Sequence, residues 1–140
     1  MHSYEAGAMI AAPLEAVWAV LTDGAAYGQW DSGVEEVQGT IAPGEKITLR
    51  SQAVPGRAFP VRVAFTEPGR VMTWTGGMPL GLFRGVRVFR LAPDGEGTTF
   101  TMREEFTGPL LKMIWKRMPD LGPSFVQFAE GLKARAEDGE

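Results

Sequence analysis

The chain has 140 residues, 44% of them hydrophobic and 22% charged, with a formal net charge of −3. That length supports one domain that buries about two-thirds of its unfolded surface, and the absence of cysteine excludes disulfides, thiolate nucleophiles and cysteine-held metals. No basic run or basic face is recognisable, which argues against nucleic acid as a partner.

No apolar run reaches the ~18 residues of a membrane span. The opening MHSYEAG lacks the basic and apolar regions of a secretory leader, so a cytoplasmic location is expected. There is no asparagine and hence no glycosylation sequon.

Residues 4–11 read as a first strand. Pro13 opens a helix whose apolar positions Leu14, Val17, Trp18 and Leu21 follow helical spacing, and Thr22, Asp23 and Gly24 end it. A second, short helical turn is expected over Ala25–Trp30. From there the pattern changes to strands separated by Pro-Gly and Pro-Asp-Gly turns, in which proline presets φ and glycine accepts a positive φ. Strands are expected near 34–40, 45–53, 57–66, 70–76, 83–91 and 98–107, with connections short enough for an antiparallel meander.

The last segment, Pro109–Glu137, has the period of one helical face. Leu111, Ile114, Met118, Leu121, Phe125, Phe128 and Leu132 recur at steps of three and four. The spacing predicts a long C-terminal helix starting at Pro109, with a kink or short break between Met118 and Ser124, where Pro119, Gly122 and Pro123 remove donors and loosen the chain. Strands in one block with helices outside it define an α+β protein in which a bent sheet wraps that helix.

Alternation shows which side chains face the helix. Val61, Val63 and Phe65 form one inward set, and Phe100, Met102, Glu104 and Phe106 another. With the turn centred on Asp94–Gly97, Leu91 faces Phe100, Phe89 faces Met102, and Arg87 faces Glu104. An arginine and a carboxylate thus become direct neighbours on the inner face. Such a pair is tolerated where hydrogen bonds or water offset desolvation, which points either to a wet or ligand-occupied interior or to a structural pair at the sheet rim.

Several aromatic and methionine side chains converge under the helix, as in an apolar pocket. The expected lining is Trp30, Val63, Phe65, Trp74, Phe89, Met102, Phe106, Met113, Met118, Leu121 and Phe125. The apolar stretch Gly76–Phe83 (GGMPLGLF) gates the pocket, covers a sheet edge or forms a homodimer patch.

The order of elements and the sequences IAAPLEAVWAVLTDGAAYGQW (10–30), GVRVFRL (85–91), PDGEGTTFTMREEFTGPL (93–110) and FAEGLKARAE (128–137) resemble the START-like helix-grip superfamily. The chain is most similar there to the bacterial SRPBCC proteins described as polyketide cyclase/dehydrase-like. The resemblance implies one domain over residues 1–140, with a curved seven-stranded antiparallel sheet around the long C-terminal helix and two short helices after the first strand. It also implies a cavity for lipids, polyketides or other apolar small molecules.

The superfamily holds carriers, cyclases and chaperone activators, and no motif in this chain selects among them. The one histidine, His2, rules out a multi-histidine metal site, and its place at the terminus argues against a Ser-His-Asp triad. The glycines of 76–85 match no phosphate-binding loop, and Lys46, Lys112, Lys116 and Lys133 fall on polar faces. No cofactor is implied. Glu104 and Arg87 remain as candidate catalytic residues, a proton donor or base beside an enolisable substrate, or as a grip on a ligand carbonyl or carboxylate. The expected function is binding of a hydrophobic small molecule; the alternatives are a cyclase or dehydratase using Glu104 and Arg87, and a chaperone-activator-like interaction domain.

Overall fold

The structure is a computed structural model that describes residues 2–138. Strand β1 (His2–Ile10) leads through Pro13 into helix α1 (Leu14–Thr22) and a six-residue 3₁₀ turn (Gly24–Gln29). There follow β2 (Val34–Gln38), β3 (Lys46–Ser51), β4 (Ala58–Glu67), β5 (Val71–Gly77), β6 (Arg84–Asp94) and β7 (Gly97–Thr107). Helix α2 (Leu111–Trp115) and helix α3 (Gly122–Asp138) close the chain.

The seven strands form one antiparallel sheet in the order β1-β7-β6-β5-β4-β3-β2. Strands β2 to β7 are the expected meander, and β1 pairs along the whole outer edge of β7, from His2 opposite Phe106 to Ile10 opposite Thr98. Irregularities in register at Val34/Glu36 and Ala64/Glu67 add local twist where the sheet curls.

The inner face follows the alternation of the sequence. Ile10, Val63, Met72, Trp74, Phe89, Leu91, Phe100 and Met102 are buried in the core with Phe125, Phe128 and Leu132 of α3. Tyr27, wholly buried in the 3₁₀ turn, donates its hydroxyl to the Leu21 carbonyl at the end of α1. Burial pushes its phenol far above the ordinary range, against the opposing charge of Arg87. The hydroxyl therefore stays protonated and serves as a fixed donor to a helix C-terminus.

The C-terminal helix departs from expectation. Of the kink or short break expected between Met118 and Ser124 the structure has the break, but a longer and earlier one: two helices, with Lys116–Leu121 outside both. The start is also later: Leu110 is the N-cap, and Pro109 lies before the helix. Gly108, at φ 118°, lets the backbone pass so close to Leu82 that a Cβ would come within 2.6 Å of its carbonyl oxygen. The break begins just after Trp115, which is absent from the apolar stripe and stacks on His2 and Tyr4 and packs on Phe106. Asp120 then accepts the Gly122 N–H (2.9 Å) at the start of α3, and Pro123 occupies a first-turn position where its missing donor costs nothing.

Helix α3 lies chiefly over β1 and against α1. Its last turns are clamped to the end of β1: Lys133 Nζ donates to the Met9 carbonyl (2.8 Å) and to Glu137 (2.6 Å), whose carboxylate accepts the Ala11 N–H (2.8 Å). Midway along it, Gly131 meets the loop before β2, and a Cβ there would lie 2.0 Å from the Asp31 carbonyl oxygen.

Two outcomes follow. Alanine is favoured over glycine in a helix interior by about 1 kcal/mol, yet the backbone contact reverses the sign at this site: Gly131→Ala is expected to lower the free energy of urea unfolding by about 2 kcal/mol. For Glu137, the Ala11 N–H and then Lys133 hold the carboxyl below its ordinary value of 4.5. A depressed native pKa stabilises the fold above the ordinary carboxylate range and is lost as pH falls through the lowered value. The Tm difference between the wild type and Glu137→Gln is therefore expected to be full at neutral pH and to shrink on acidification below about pH 4.5; a gap that holds constant into acid would contradict this.

Candidate functional site

The inner face of the sheet is filled unequally along the strands. Toward Ile10, Leu91 and Val71 the inward positions carry large side chains that meet α1, the 3₁₀ turn and α3. Toward the other end, β5 and β6 place glycine at the next inward position of each strand. Gly76 and Gly85 are direct cross-strand partners, one step beyond Trp74 and Arg87. Because α3 sits over the β1 side, nothing from the helices covers these glycines, and a cavity of about 690 Å³ opens there.

Its walls come from the inner faces of β3 to β7, from residues 53–60 and 77–78, and from Ile114–Phe125. Leu49, Val61, Trp74, Phe83, Phe106, Met118, Leu121, Phe125 and Phe128 make it mainly apolar. The mouth lies at the end of the sheet, where the lining residues Arg57, Phe59, Pro60, Met78, Arg117 and Pro119 are exposed.

Arg87 and Glu104 stand opposite each other on β6 and β7, in the register expected from the turn, and both line the cavity. Arg87 Nε donates to Glu104 Oε1 at 2.8 Å and Nη2 lies 2.7 Å from the same oxygen, with the two side chains 21% and 15% exposed. The guanidinium also lies over the Phe125 ring, 4.6 Å from its centroid, so a cation–π contact from α3 steadies it. Both arginine contacts converge on Oε1. Glu104 Oε2 has no hydrogen-bond partner among the described residues and lies over Gly85, where a Cβ would be 2.6 Å away. The glycine that hollows the floor also makes room for the carboxylate.

Of the residues expected to line a pocket, Trp74, Phe106, Met118, Leu121 and Phe125 do so, with Arg87 and Glu104. The structure places the others elsewhere. Val63, Phe89 and Met102 are fully buried in the solid part of the core. Phe65 packs edge-on to Trp18, and Trp30 packs on Tyr27 and Phe128 and lines a separate small pocket beside Arg135. Met113 is 62% exposed, because docking of Trp115 turns its side of α2 outward. These assignments came from facing direction alone, and direction does not show how far along a strand the filling stops.

What the sequence reading missed is the far wall, including Leu49, Val54, Phe59 and Ser124, and the role of the glycines. The available signal was a glycine at an inward position on each of two neighbouring strands, which becomes informative only once the β5–β6 register is known.

A curled seven-stranded antiparallel sheet holding a C-terminal helix, with a cavity between the two, defines a helix-grip domain. Over residues 1–137 the chain matches, and belongs to, the family described as polyketide cyclase / dehydrase and lipid transport.

Solved structures agree on the fold. A START superfamily protein from Mycobacterium smegmatis aligns over 100% of both chains at 17% identity, with a TM-score of 0.73. The Zhui aromatase/cyclase from Streptomyces sp. R1128 aligns over 97% of this chain and 93% of its own at 18% identity, with a TM-score of 0.74. A hypothetical protein, jhp0584, from Helicobacter pylori covers 96% and 88% at 11% identity, with a TM-score of 0.76. No curated protein matches the sequence.

Because the ion pair is shielded yet borders a cavity, removing one partner is expected to cost less than the ~3–5 kcal/mol of a fully buried pair. Arg87→Leu should lower unfolding free energy by about 2 kcal/mol, and the double variant Arg87→Leu/Glu104→Leu should recover most of it. Additive losses in the double-mutant cycle would show that the two side chains are not coupled.

Proposed function

We propose that this protein binds a lipid- or polyketide-like small molecule in the cavity between the sheet and the C-terminal helices. The observation that carries the reading is a mainly apolar cavity of about 690 Å³ with a single ionic pair set into its wall. That volume is within the ~300–1,000 Å³ range of small-molecule sites, and such sites combine an apolar lining with a few placed polar groups. Arg87 and Glu104 supply those groups. The guanidinium offers N–H donors to a carbonyl or carboxylate, and Glu104 Oε2 offers an acceptor to a hydroxyl. Family membership supports an apolar ligand of this kind.

One observation favours a second reading, cyclase or dehydratase chemistry. The unpartnered Oε2 beside a fixed guanidinium is the arrangement a general base needs when an adjacent cation stabilises a developing enolate. In that case Glu104→Gln abolishes turnover of an identified substrate and leaves its affinity largely intact, whereas unchanged turnover rejects the role.

Native mass spectrometry of gently purified protein is expected to show a co-purified apolar molecule, and an environment-sensitive naphthalene fluorophore should bind with one-to-one stoichiometry. Ser124, which lines the cavity from the first turn of α3, offers the test of location. Ser124→Trp fills the space and should weaken fluorophore binding at least tenfold without loss of folding. Unchanged binding in that variant would place the ligand elsewhere.

A further inference from the structure

The protein is acidic overall, but its charge is not evenly spread. Three of the segments that line the cavity, residues 53–60, 77–86 and 108–119, carry five basic residues and no acidic one; a fourth, Ser32–Val34, is buried between the exposed Asp31 and Glu35. The rest of the chain carries nine basic and seventeen acidic residues. The five, Arg57, Arg84, Lys112, Lys116 and Arg117, are all exposed, and none takes part in an ion pair among the described residues. Asp120, just beyond the third segment, has its carboxylate turned onto the Gly122 N–H.

The same segments hold four of the six large apolar side chains exposed among the described residues: Phe59, Met78, Leu80 and Met113. Leu80 is the extreme case. It is 96% exposed and sits at φ 60°, ψ 21°, the one non-glycine residue with a positive φ among those described. A leucine in this region costs about 1–2 kcal/mol relative to an ordinary conformation, and here that cost holds an apolar side chain out in water. The turn bearing it is fixed to the start of α2, since Leu110 N donates to the Leu82 carbonyl (2.9 Å) and Gly108 packs against the same group. The two parts of the patch are therefore held together.

We propose that the mouth of the cavity docks onto an anionic lipid bilayer. Leu80, Met78 and Met113 enter the interfacial region and the five cations face lipid headgroups, as apolar residues ringed by lysine and arginine do on membrane-surface proteins. The charge distribution selects this occupant over a second copy of the chain, whose own mouth would bring the same five cations into opposition. Docking in this orientation turns the cavity toward the acyl region. It does not depend on the cavity reading, because the patch is built from exposed residues.

The test is co-sedimentation of the full chain with vesicles of phosphatidylcholine alone and of phosphatidylcholine mixed with phosphatidylglycerol. Strong partition onto the anionic vesicles, weak partition onto the neutral ones, and loss in high salt are expected. Each neutralised mouth cation should lower partition about fivefold. The triple variant Arg84→Gln/Lys112→Gln/Lys116→Gln should therefore lose about a hundredfold, while Arg70→Gln, in the β4–β5 turn at the opposite end, should change little.

Leu80→Asn suits the left-handed backbone, so it should keep or raise Tm while partition falls several-fold. Equal partition onto both vesicle types, or a triple variant that behaves as wild type, overturns the proposal. So does a dimer in sedimentation equilibrium that Leu80→Asn dissociates. Fluorophore binding measured on the same variants separates the two readings: a protein that ignores vesicles yet fills its cavity loses only the docking surface.

Discussion

The constraint on which this structure depends is that a curled sheet and a single helix cannot fill each other evenly. Helix α3 is held to β1 by the Lys133 and Glu137 contacts and by the close passage of Gly131 at Asp31, which fixes it over one side of the concave face. Where α1 and the Tyr27 turn also reach the sheet, large side chains close the gap. Where they do not, Gly76 and Gly85 leave the floor bare. Burial of apolar area drives the packed end, and missing side chains set the volume of the hollow end. The two ends are consequences of one helix placement.

The ion pair is intelligible in those terms. An arginine and a glutamate on the inner face of a packed sheet would face a desolvation penalty of several kcal/mol per ion. One step from the glycines they border a cavity, retain partial exposure, and are steadied by the Phe125 ring from the opposite wall. The same position that makes the pair tolerable makes it available to a ligand. Tyr27 shows the contrasting case: a polar group in the solid part of the core has one backbone partner and no access to the cavity.

Much of the fold was legible in the sequence because it rests on local periodicities. The Pro-Gly turns set the meander, alternation on β4, β6 and β7 set the inner face, and the β6–β7 turn set the pairing of Arg87 with Glu104, which the register bears out. The location of β1 at the β7 edge is a long-range pairing that no turn encodes, and it is known only from the structure. The break in the C-terminal helix was legible from Pro119, Gly122 and Pro123, but its bounds were not, because the apolar stripe runs through it: Met118 and Leu121 keep the spacing of a helix while sitting in the connection between two. Trp115, the last residue of α2, packs with His2 and Tyr4 of β1 and Phe106 of β7, contacts that the helical spacing does not show.

The candidate site was legible in kind and less so in extent. Facing direction identified Trp74, Phe106, Phe125 and the ion pair, but it also gathered Val63, Phe89 and Met102, which face the same way where the interior is solid. No basic face was recognisable along the chain either, since the five cations at the mouth come from three segments separated by strands of mixed charge. Antiparallel pairing brings the start of β4, the β5–β6 connection and the end of β7 to one end of the sheet, and charge then becomes a property of that end. The glycines that hollow the cavity, the strained turn that exposes Leu80 and the segment that interrupts the C-terminal helix all lie at this end. Stability is concentrated at the opposite one, where α1, the Tyr27 turn and the last turns of α3 close on β1, so the departures from a filled core fall where they leave that packing intact.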